Sequence, residues 1–296
     1  MKINITPEAL KSDNPQLLWP GALSGLRLLQ DHEYTLTCPV SELSDSQKLL
    51  LSNEGISFSD PSGEEADGIV DAEKDELVLK SGDKVISTAG EWNTLARSIL
   101  FPKRSAEKVR KTKETDISIR ANIDGSGVSE ISTGLRFFDH MLEQIAHHGL
   151  IDLNITCNGD LDIDEHHTIE DVAITLGEVL FEASSINKMG IQRYGFVLVM
   201  DETEATVALD LSNRPYLVWN AEFSREYVGD FPLEMAKHFF HTLAMNLNAT
   251  LHIRVEGEND HHKLEAIFKG FAKAFRFSVS RNERIKDIFP STKGLL

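Results

Sequence analysis

HHTIEDVAITLGEVL spans residues 166–180, and HHKLEAIFKGFAKAF spans residues 261–275. Each stretch opens with His-His-x-x-Glu and continues with apolar residues at the spacing of one helix face. The first stripe comprises Ile169, Val172, Ala173, Leu176 and Leu180, and the second comprises Leu264, Ile267, Phe268, Phe271 and Phe275. The two stretches begin 95 residues apart. We therefore predict two amphipathic helices in equivalent positions of a duplicated fold.

The repeat extends beyond these helices. A lone histidine precedes each of them. His140 lies inside FFDHMLEQIA, where Phe138, Met141, Leu142 and Ile145 predict another amphipathic helix, and His238 follows 98 residues later. Alternating apolar and polar residues predict half-buried strands at 116–124, 151–157, 205–212 and 251–255. The predicted fold class is α+β, with two duplicated half-domains at about 114–200 and 201–290, each a half-covered sheet with two helices.

The chain changes character near residue 105. Residues 1–100 contain His32 alone among the eleven histidines. The basic run PKRSAEKVRKTKE, 102–114, predicts a solvated linker, and the acidic segment Ser59–Asp83 predicts a loop. We therefore predict a small N-terminal α/β domain at 1–105 and a larger domain at 106–296.

Composition limits the possible partners and compartment. A net charge of −17 disfavours nucleic acid and anionic membrane surfaces as partners. No stretch approaches the ~20 apolar residues of a membrane span, and the first twenty residues lack the pattern of a secretory signal. Cys38 and Cys157 are the two cysteines, which we expect to be reduced. These features predict a cytoplasmic protein.

The repeated motif has the chemistry of a metal site. On a helix, the first His and the Glu lie at i and i+4 on one face and can chelate one ion, while the second His points elsewhere and can serve another. Imidazole and carboxylate ligands suit Mn²⁺, Fe²⁺ or Zn²⁺. Two halves supply enough ligands for two ions: His140, His166, His167, Glu170, His238, His261, His262 and Glu265. A single His-His pair at a helix start is usually a solvated or capping pair, so the prediction of a metal site rests on the duplication.

Arginines where loops meet strands, together with hydroxyl and lysine side chains in PSTKG at the chain's end, suit a phosphate monoester. They are Arg193, Arg214, Ser291, Thr292 and Lys293. No Walker loop and no G-x-G-x-x-G motif is present, so a nucleotide is not indicated.

Residues 112–296 resemble one family along their whole length. The stretches TKET, STGLRFFDHML, GDLDIDEHHTIED, RYGF, DLSNRPYL, GENDHH, EAIFK and PSTKG are similar to those of the imidazoleglycerol-phosphate dehydratases. The resemblance implies two Mn²⁺ per site, 24 identical chains built from trimers, and sites formed between chains. It implies His140, His167, His261 and Glu265 on one ion, and His166, Glu170, His238 and His262 on the other. Implied substrate contacts are Glu114, Gln144, His148, Arg193, Arg214, Lys269, Ser291, Thr292 and Lys293.

The implied reaction dehydrates D-erythro-imidazole glycerol phosphate to imidazole acetol phosphate in L-histidine biosynthesis. Two metals would hold the ring as an imidazolate, which can expel the neighbouring hydroxyl to give a diazafulvene. The predicted catalytic residues are Glu114, Glu170 and Glu265, with Glu114 as the candidate for proton transfer. Two alternatives stay open, namely a two-metal hydrolase of a phosphorylated small molecule and a metal-storage or scaffold protein.

The first hundred residues resemble a degenerate histidinol-phosphate phosphatase of the haloacid dehalogenase class. WPGALSGLRLLQDHEYTL and GEWNTLARSILFPKR are similar to segments of that domain. Its chemistry needs an Asp-x-Asp pair near the N-terminus, and MKINITPEAL has none. We therefore predict an inactive remnant, with an unrelated appendage as the alternative.

Overall fold

The computed structural model describes residues 1–59, 66–186, 188–282, 284–285 and 288–291. The chain divides into two compact units, Met1–Pro102 and Lys103–Leu296. This division lies just before the predicted boundary of 105, because Ser105 already begins a strand of the second unit. Among the described residues, no helix is long and apolar enough to cross a membrane.

The N-terminal unit has the predicted α/β architecture. Its strands are β1 (Lys2–Ile5), β2 (Thr35–Thr37), β3 (Gly68–Glu73), β4 (Glu76–Ser81) and β5 (Lys84–Ala89), and its helices are α1 (Ala22–Asp31), α2 (Asp45–Asn53) and α3 (Trp92–Leu100). The sheet order is β2-β1-β3-β4-β5, with β1 parallel to β2 and β3 and with antiparallel pairing from β3 to β5. Trp92 is fully buried in the core of this unit.

The predicted loop at Ser59–Asp83 is wrong over most of its length. Residues 60–65 lie outside the described part of the chain, but β3 and β4 form a hairpin within the rest. The turn residues Lys74 and Asp75 both have positive φ, the backbone that two-residue hairpins need. Val70 and Leu77 are fully buried, so a few apolar residues suffice to hold these acidic strands in the sheet.

The C-terminal unit repeats one arrangement of strands and helices. Its first half contains β6 (Ser105–Lys111), β7 (Thr115–Asn122), β8 (Ser129–Ser132), α4 (Arg136–Gly149), β9 (Asp152–Gly159) and α5 (His166–Ser185). Its second half contains β10 (Tyr194–Met200), β11 (Thr203–Asp210), β12 (Tyr216–Asn220), a hairpin of β13 (Tyr227–Val228) and β14 (Phe231–Pro232), α6 (Glu234–Asn246), β15 (Thr250–Glu256) and α7 (Asp260–Val279).

The two halves have the same topology, as predicted. The sheet orders β6-β7-β9-β8 and β10-β11-β15-β12 match position by position, and each has its one parallel pair at the same place. Helices α4 and α5 cover the first sheet, while α6 and α7 cover the second. The helices of the two halves then pack on each other, α4 on α7 and α5 on α6. The predicted stripes of α4, α5 and α7 are buried in this shared core.

Two boundaries differ from the prediction. The run predicted as a linker contains strand β6, which pairs along its length with β7. Strand β10 pairs with β11 in the second sheet, so the halves divide before Tyr194 rather than after residue 200. Strand β6 was not predicted, because two of the positions that face the helices are charged rather than apolar. These are Lys108 and Arg110, which form ion pairs with acidic residues of α5 at 3.1 and 2.9 Å.

Candidate metal centre

Helices α5 and α7 begin at the two His-His-x-x-Glu motifs. The backbone N–H of His261 donates to the side chain of Asn259, the N-cap of α7, at 2.9 Å. The backbone N–H of His166 donates to Asp164 at 3.0 Å, so the carboxylate serves the start of α5 in the same way. These caps place each motif in the first two turns of its helix, where the i and i+4 side chains share a face.

One ligand group joins the first half to the second. His140 of α4 meets His261 and Glu265 of α7, with ligand atoms all within 4.8 Å of one another. His261 Nε2 lies 3.0 Å from a carboxylate oxygen of Glu265. The ring of Phe137 packs edge-on against His261, with centroids 5.2 Å apart. We call this set the first ligand group.

The second ligand group is its counterpart with the halves exchanged. His166 and Glu170 of α5 meet His238 of α6, again with ligand atoms within 4.8 Å of one another. Glu170 lies 3.0 Å from His238 Nε2 and 3.9 Å from His166 Nε2. Each group therefore takes one histidine from a lone-His helix and a His/Glu pair from the motif of the other half.

His167 and His262 join neither group within one chain. His167 Nδ1 lies 3.1 Å from Asp160 and 3.9 Å from Glu114, and the hydrogen bond to Asp160 raises the pKa of His167. His262 Nδ1 lies 2.9 Å from Glu202, and this bond lowers the pKa of Glu202 to about 2. A carboxylate on Nδ1 fixes a ring's orientation and leaves Nε2 as the atom for an ion.

The charged side chain of a lysine lies beside the first ligand group. Lys269 Nζ is 2.7 Å from Glu265, whose side chain is 9% exposed. Burial alone would raise the pKa of Glu265, but hydrogen bonds from Lys269 and His261 outweigh burial and lower it, so the carboxylate stays ionised. His148 faces Lys269 and Lys273, and burial together with these charges lowers the pKa of His148 to about 4. Gln144 Nε2 donates to the carbonyl of His140 at 3.1 Å.

Among the described residues, the predicted phosphate contacts do not converge within one chain. Arg193 precedes β10 and donates to Asp210 at 2.8 Å, and Arg214 lies 3.7 Å from the same carboxylate. Lys269 instead contacts Met200 at the far end of β10. The rise of ~3.3 Å per strand residue puts the ends of β10 roughly 20 Å apart. Ser291 is half-buried, while Thr292 and Lys293 lie outside the described residues.

Sequence reasoning missed the carboxylates that hold the outlying histidines and arginines: Asp160, Glu202 and Asp210. A signal for Glu202 was present, because Glu114-Thr115 and Glu202-Thr203 both stand directly before an alternating strand. The two glutamates approach His167 and His262, which are themselves equivalent. Asp201 completes a third acidic set with Glu202 and His262.

The donor sets suit a divalent transition ion. Each ligand group offers two imidazoles and one carboxylate, a combination that binds Mn²⁺, Fe²⁺ or Zn²⁺. Three protein ligands leave coordination positions for a further histidine and for substrate. The carboxylates beside Nδ1 of His167 and His262 favour a proton on that atom, which leaves Nε2 as the atom that can bind a metal ion.

Comparison with known proteins agrees with this geometry. A family model described as imidazoleglycerol-phosphate dehydratase matches residues 133–275. The histidine biosynthesis bifunctional protein HisB of Spirosoma linguale is 48% identical over 252 residues, which cover 83% of this chain and 64% of that protein. The alignment therefore extends into the N-terminal unit. The chain spans less than two thirds of the length of the curated relatives it matches.

Two solved structures match the C-terminal unit. The imidazoleglycerol-phosphate dehydratase of Staphylococcus aureus matches with a TM-score of 0.54 and 37% identity, over 60% of this chain and 99% of that one. The enzyme of Pyrococcus furiosus matches with a TM-score of 0.53 and 36% identity, over 64% of this chain and 100% of that one. Because it covers nearly all of both enzymes at this identity, the chain belongs to the imidazoleglycerol-phosphate dehydratase family.

Proposed function

We propose that this chain dehydrates D-erythro-imidazole glycerol phosphate to imidazole acetol phosphate in L-histidine biosynthesis. The observation that carries the proposal is the pair of matching ligand groups, each built across the two halves of the fold. A substrate with two ring nitrogens and a phosphate needs two electrophilic centres and a cationic pocket. The ligand groups and the arginine pair offer both kinds of site.

Two Mn²⁺ ions are the cofactors we propose, one on each ligand group. When bound, they would favour the imidazolate form of the substrate ring, which can expel the neighbouring hydroxyl. The two glutamates Glu170 and Glu265 would contribute as metal ligands. Glu265 already carries the ionised carboxylate that this role requires, because Lys269 and His261 stabilise its charge.

Glu114 is our candidate for proton transfer. Its carboxylate lies beside His167 and is half exposed, so it can reach a substrate held at an ion that His167 binds. After the hydroxyl leaves, a base must remove the proton from the next carbon, so that one water is lost in all, and the enol then tautomerises to the ketone. A carboxylate that is accessible and adjacent to the ring-binding ligands suits that step.

We propose that complete sites form between chains of a 24-subunit assembly. Three observations support this arrangement. His167 and His262 lie outside the ligand groups of their own chain, and their Nδ1 atoms are bound by carboxylates. Arg193 and Arg214 lie a strand's length from Lys269. A neighbouring chain can bring these elements together, whereas the buried core of one chain holds them apart.

The N-terminal unit is proposed to be an inactive phosphatase-like remnant. Its parallel strands β1, β2 and β3 form the part of the sheet where such a nucleophile would stand, but β1 is followed by Thr6 and Pro7 rather than by an aspartate pair. Buried, unpaired Cys38 and Cys157 are consistent with a cytoplasmic location.

The test is turnover of imidazole glycerol phosphate by chelator-stripped protein before and after Mn²⁺ is added. We expect no activity without metal and recovery with it. The variant Glu170→Gln should lose activity, because it removes a carboxylate ligand. Glu178→Gln is the matched control, since Glu178 lies two turns further along α5 and pairs with Lys108 instead.

Other outcomes of this assay would identify the alternatives. Release of inorganic phosphate without dehydration would indicate a two-metal hydrolase. Stoichiometric Mn²⁺ binding with no turnover by the fully assembled protein would indicate metal storage. Full activity of the metal-free protein would refute the proposal.

A further inference from the structure

A short hairpin distinguishes the second half from the first. Three residues, 133–135, connect β8 to α4, whereas residues 221–233 connect β12 to α6 and contain the β13–β14 hairpin. The hairpin is firmly packed, because Val228 and Phe231 are buried and the Phe231 ring packs at a tilt against Phe138 of α4, with centroids 5.6 Å apart. We call the segment Ser224–Asp230 the strap.

One end of the strap holds the start of α4. The two carboxylate oxygens of Asp230 accept the backbone N–H groups of Arg136 and Phe137 at 2.7 and 2.9 Å. Leu135, the N-cap residue, provides no capping side chain of its own. The first N–H groups of a helix have no partner within it, and a carboxylate there also stabilises the helix dipole. A residue of the second half therefore caps a helix of the first.

The other end of the strap is held by the start of α7. Asp260, which is 2% exposed, accepts hydrogen bonds from the backbone N–H and hydroxyl of Ser224 and from the backbone N–H of Arg225, all at 2.8 Å. Lys263 neutralises Asp260 at 2.6 Å and donates to the carbonyl of Glu222. The strap thus connects the N-termini of α4 and α7.

These two helices carry the whole first ligand group. His140 lies one turn beyond the capped start of α4, and Phe137 packs against both His140 and His261. The strap approaches so closely that a Cβ on Gly229, whose φ is +61°, would lie 2.9 Å from the Cβ of Phe137. The strap therefore fixes the position of α4 relative to α7 close to His140, His261 and Glu265.

We infer that Asp230 is a positioning residue for the first ligand group. It holds the turn of α4 that carries His140 in register with His261 and Glu265 of the other half. The hydrogen bonds of Asp230 described above reach α4 alone, so its loss should affect the first group and spare the second. This inference rests on the proposed binding of metal by both groups.

The experiment measures Mn²⁺ affinity by equilibrium dialysis in two backgrounds. His238→Ala disables the second group and reports on the first, while His140→Ala does the reverse. Adding Asp230→Ala should weaken Mn²⁺ binding about 10-fold or more in the His238→Ala background, the size typical of lost outer-shell support. It should change binding less than about 2-fold in the His140→Ala background. Asp230→Asn, which keeps one acceptor oxygen, should restore part of the affinity.

Asp152→Ala is the matched control. Asp152 also accepts several backbone N–H groups, those of residues 126–128, but it braces a loop at the start of β9. The Asp152→Ala change should lower the free energy of unfolding without changing the Mn²⁺ affinity of either ligand group. Equal weakening in both backgrounds, or weakening by Asp152→Ala of the same size, would overturn the inference and leave the metal proposal standing. Absence of Mn²⁺ binding by the unaltered protein would overturn both.

Discussion

Gly177 lies where α5 and α6 pack closely, and we predict that Gly177→Ala destabilises the C-terminal unit. A Cβ at this position would lie 2.8 Å from the Cβ of Asn246, 3.0 Å from the carbonyl oxygen of Leu243 and 3.1 Å from the backbone nitrogen of Leu247. Two of these three atoms belong to backbone, which cannot rotate away. The helices must therefore separate by several tenths of an ångström.

Two opposing effects decide the magnitude. Alanine in a helix interior is favoured over glycine by about 1 kcal/mol. Forcing a methyl group into a close-packed interior costs roughly 1–3 kcal/mol, and an obstacle made of backbone places the cost at the upper end. The net expectation is a loss of about 2 kcal/mol in the free energy of unfolding. For a unit of this size, that loss lowers the melting temperature by roughly 4–8 °C.

The same change should reach the second ligand group. Glu170 and His238 lie on the same two helices, seven and eight residues before the contact of Gly177 with Asn246. Separating the helices lengthens the 3.0 Å approach of Glu170 to His238. We therefore expect weaker Mn²⁺ binding alongside the lower melting temperature.

Differential scanning calorimetry at one fixed protein concentration measures this effect. Gly195→Ala is the control, because the nearest atom to a Cβ there is 3.6 Å away, an ordinary contact. That control should lie within about 0.5 kcal/mol of the unaltered protein. A Gly177→Ala protein as stable as wild type, or more stable, would show that the helix preference of alanine outweighs the clash and would refute the reasoning.

Three further predictions concern assembly, the N-terminal unit and acid stability. Chelator-stripped protein should sediment as smaller species, trimers, because metal binding and assembly are coupled; an unchanged large particle would contradict this. The full chain should not hydrolyse histidinol phosphate, and a chain beginning at Lys103 should keep dehydratase activity, which two activity assays check. Burial would raise the pKa of Asp124, but Arg104 and Arg281 outweigh it and lower the pKa. The arginines therefore stabilise the folded protein through ionised Asp124 above about pH 4, the unfolded-state pKa of an aspartate, and this stabilisation is lost on acidification. In urea titrations, the difference in free energy of unfolding between wild type and Arg104→Met should narrow as the pH falls.

The truncation point illustrates what the structure adds. A chain beginning at residue 106, the predicted domain boundary, would lack Arg104, which is 3% exposed and donates to Asp124 and to the carbonyl of Val279. Asp124 is partly exposed, so losing Arg104 should cost less than the roughly 3–5 kcal/mol of a fully buried ion pair. The sequence shows Arg104 within a basic run, and only its long-range partners reveal it as part of the core.

Periodicity determined much of the fold from the sequence alone. The stripes beginning at Phe138, Ile169 and Leu264 identified three buried helices, and the two His-His-x-x-Glu motifs identified the duplication. These features are local, because burial of one helix face or one strand face repeats at a fixed spacing along the chain. Periodicity did not predict strand β6, because the face that it turns to the helices carries Lys108 and Arg110, whose acidic partners lie far away in sequence.

Apart from the split that the family resemblance implied, the tertiary structure decided which ligands meet. The motifs identify eight candidate ligands, but nothing in their spacing says that His140 joins His261 rather than His166. That choice follows from the packing of α4 on α7 and α5 on α6, which brings each lone histidine to the motif of the other half. Arg193 and Lys269 are likewise separated by the length of β10, because the distance between side chains depends on how strands and helices pack and not on their order in the chain.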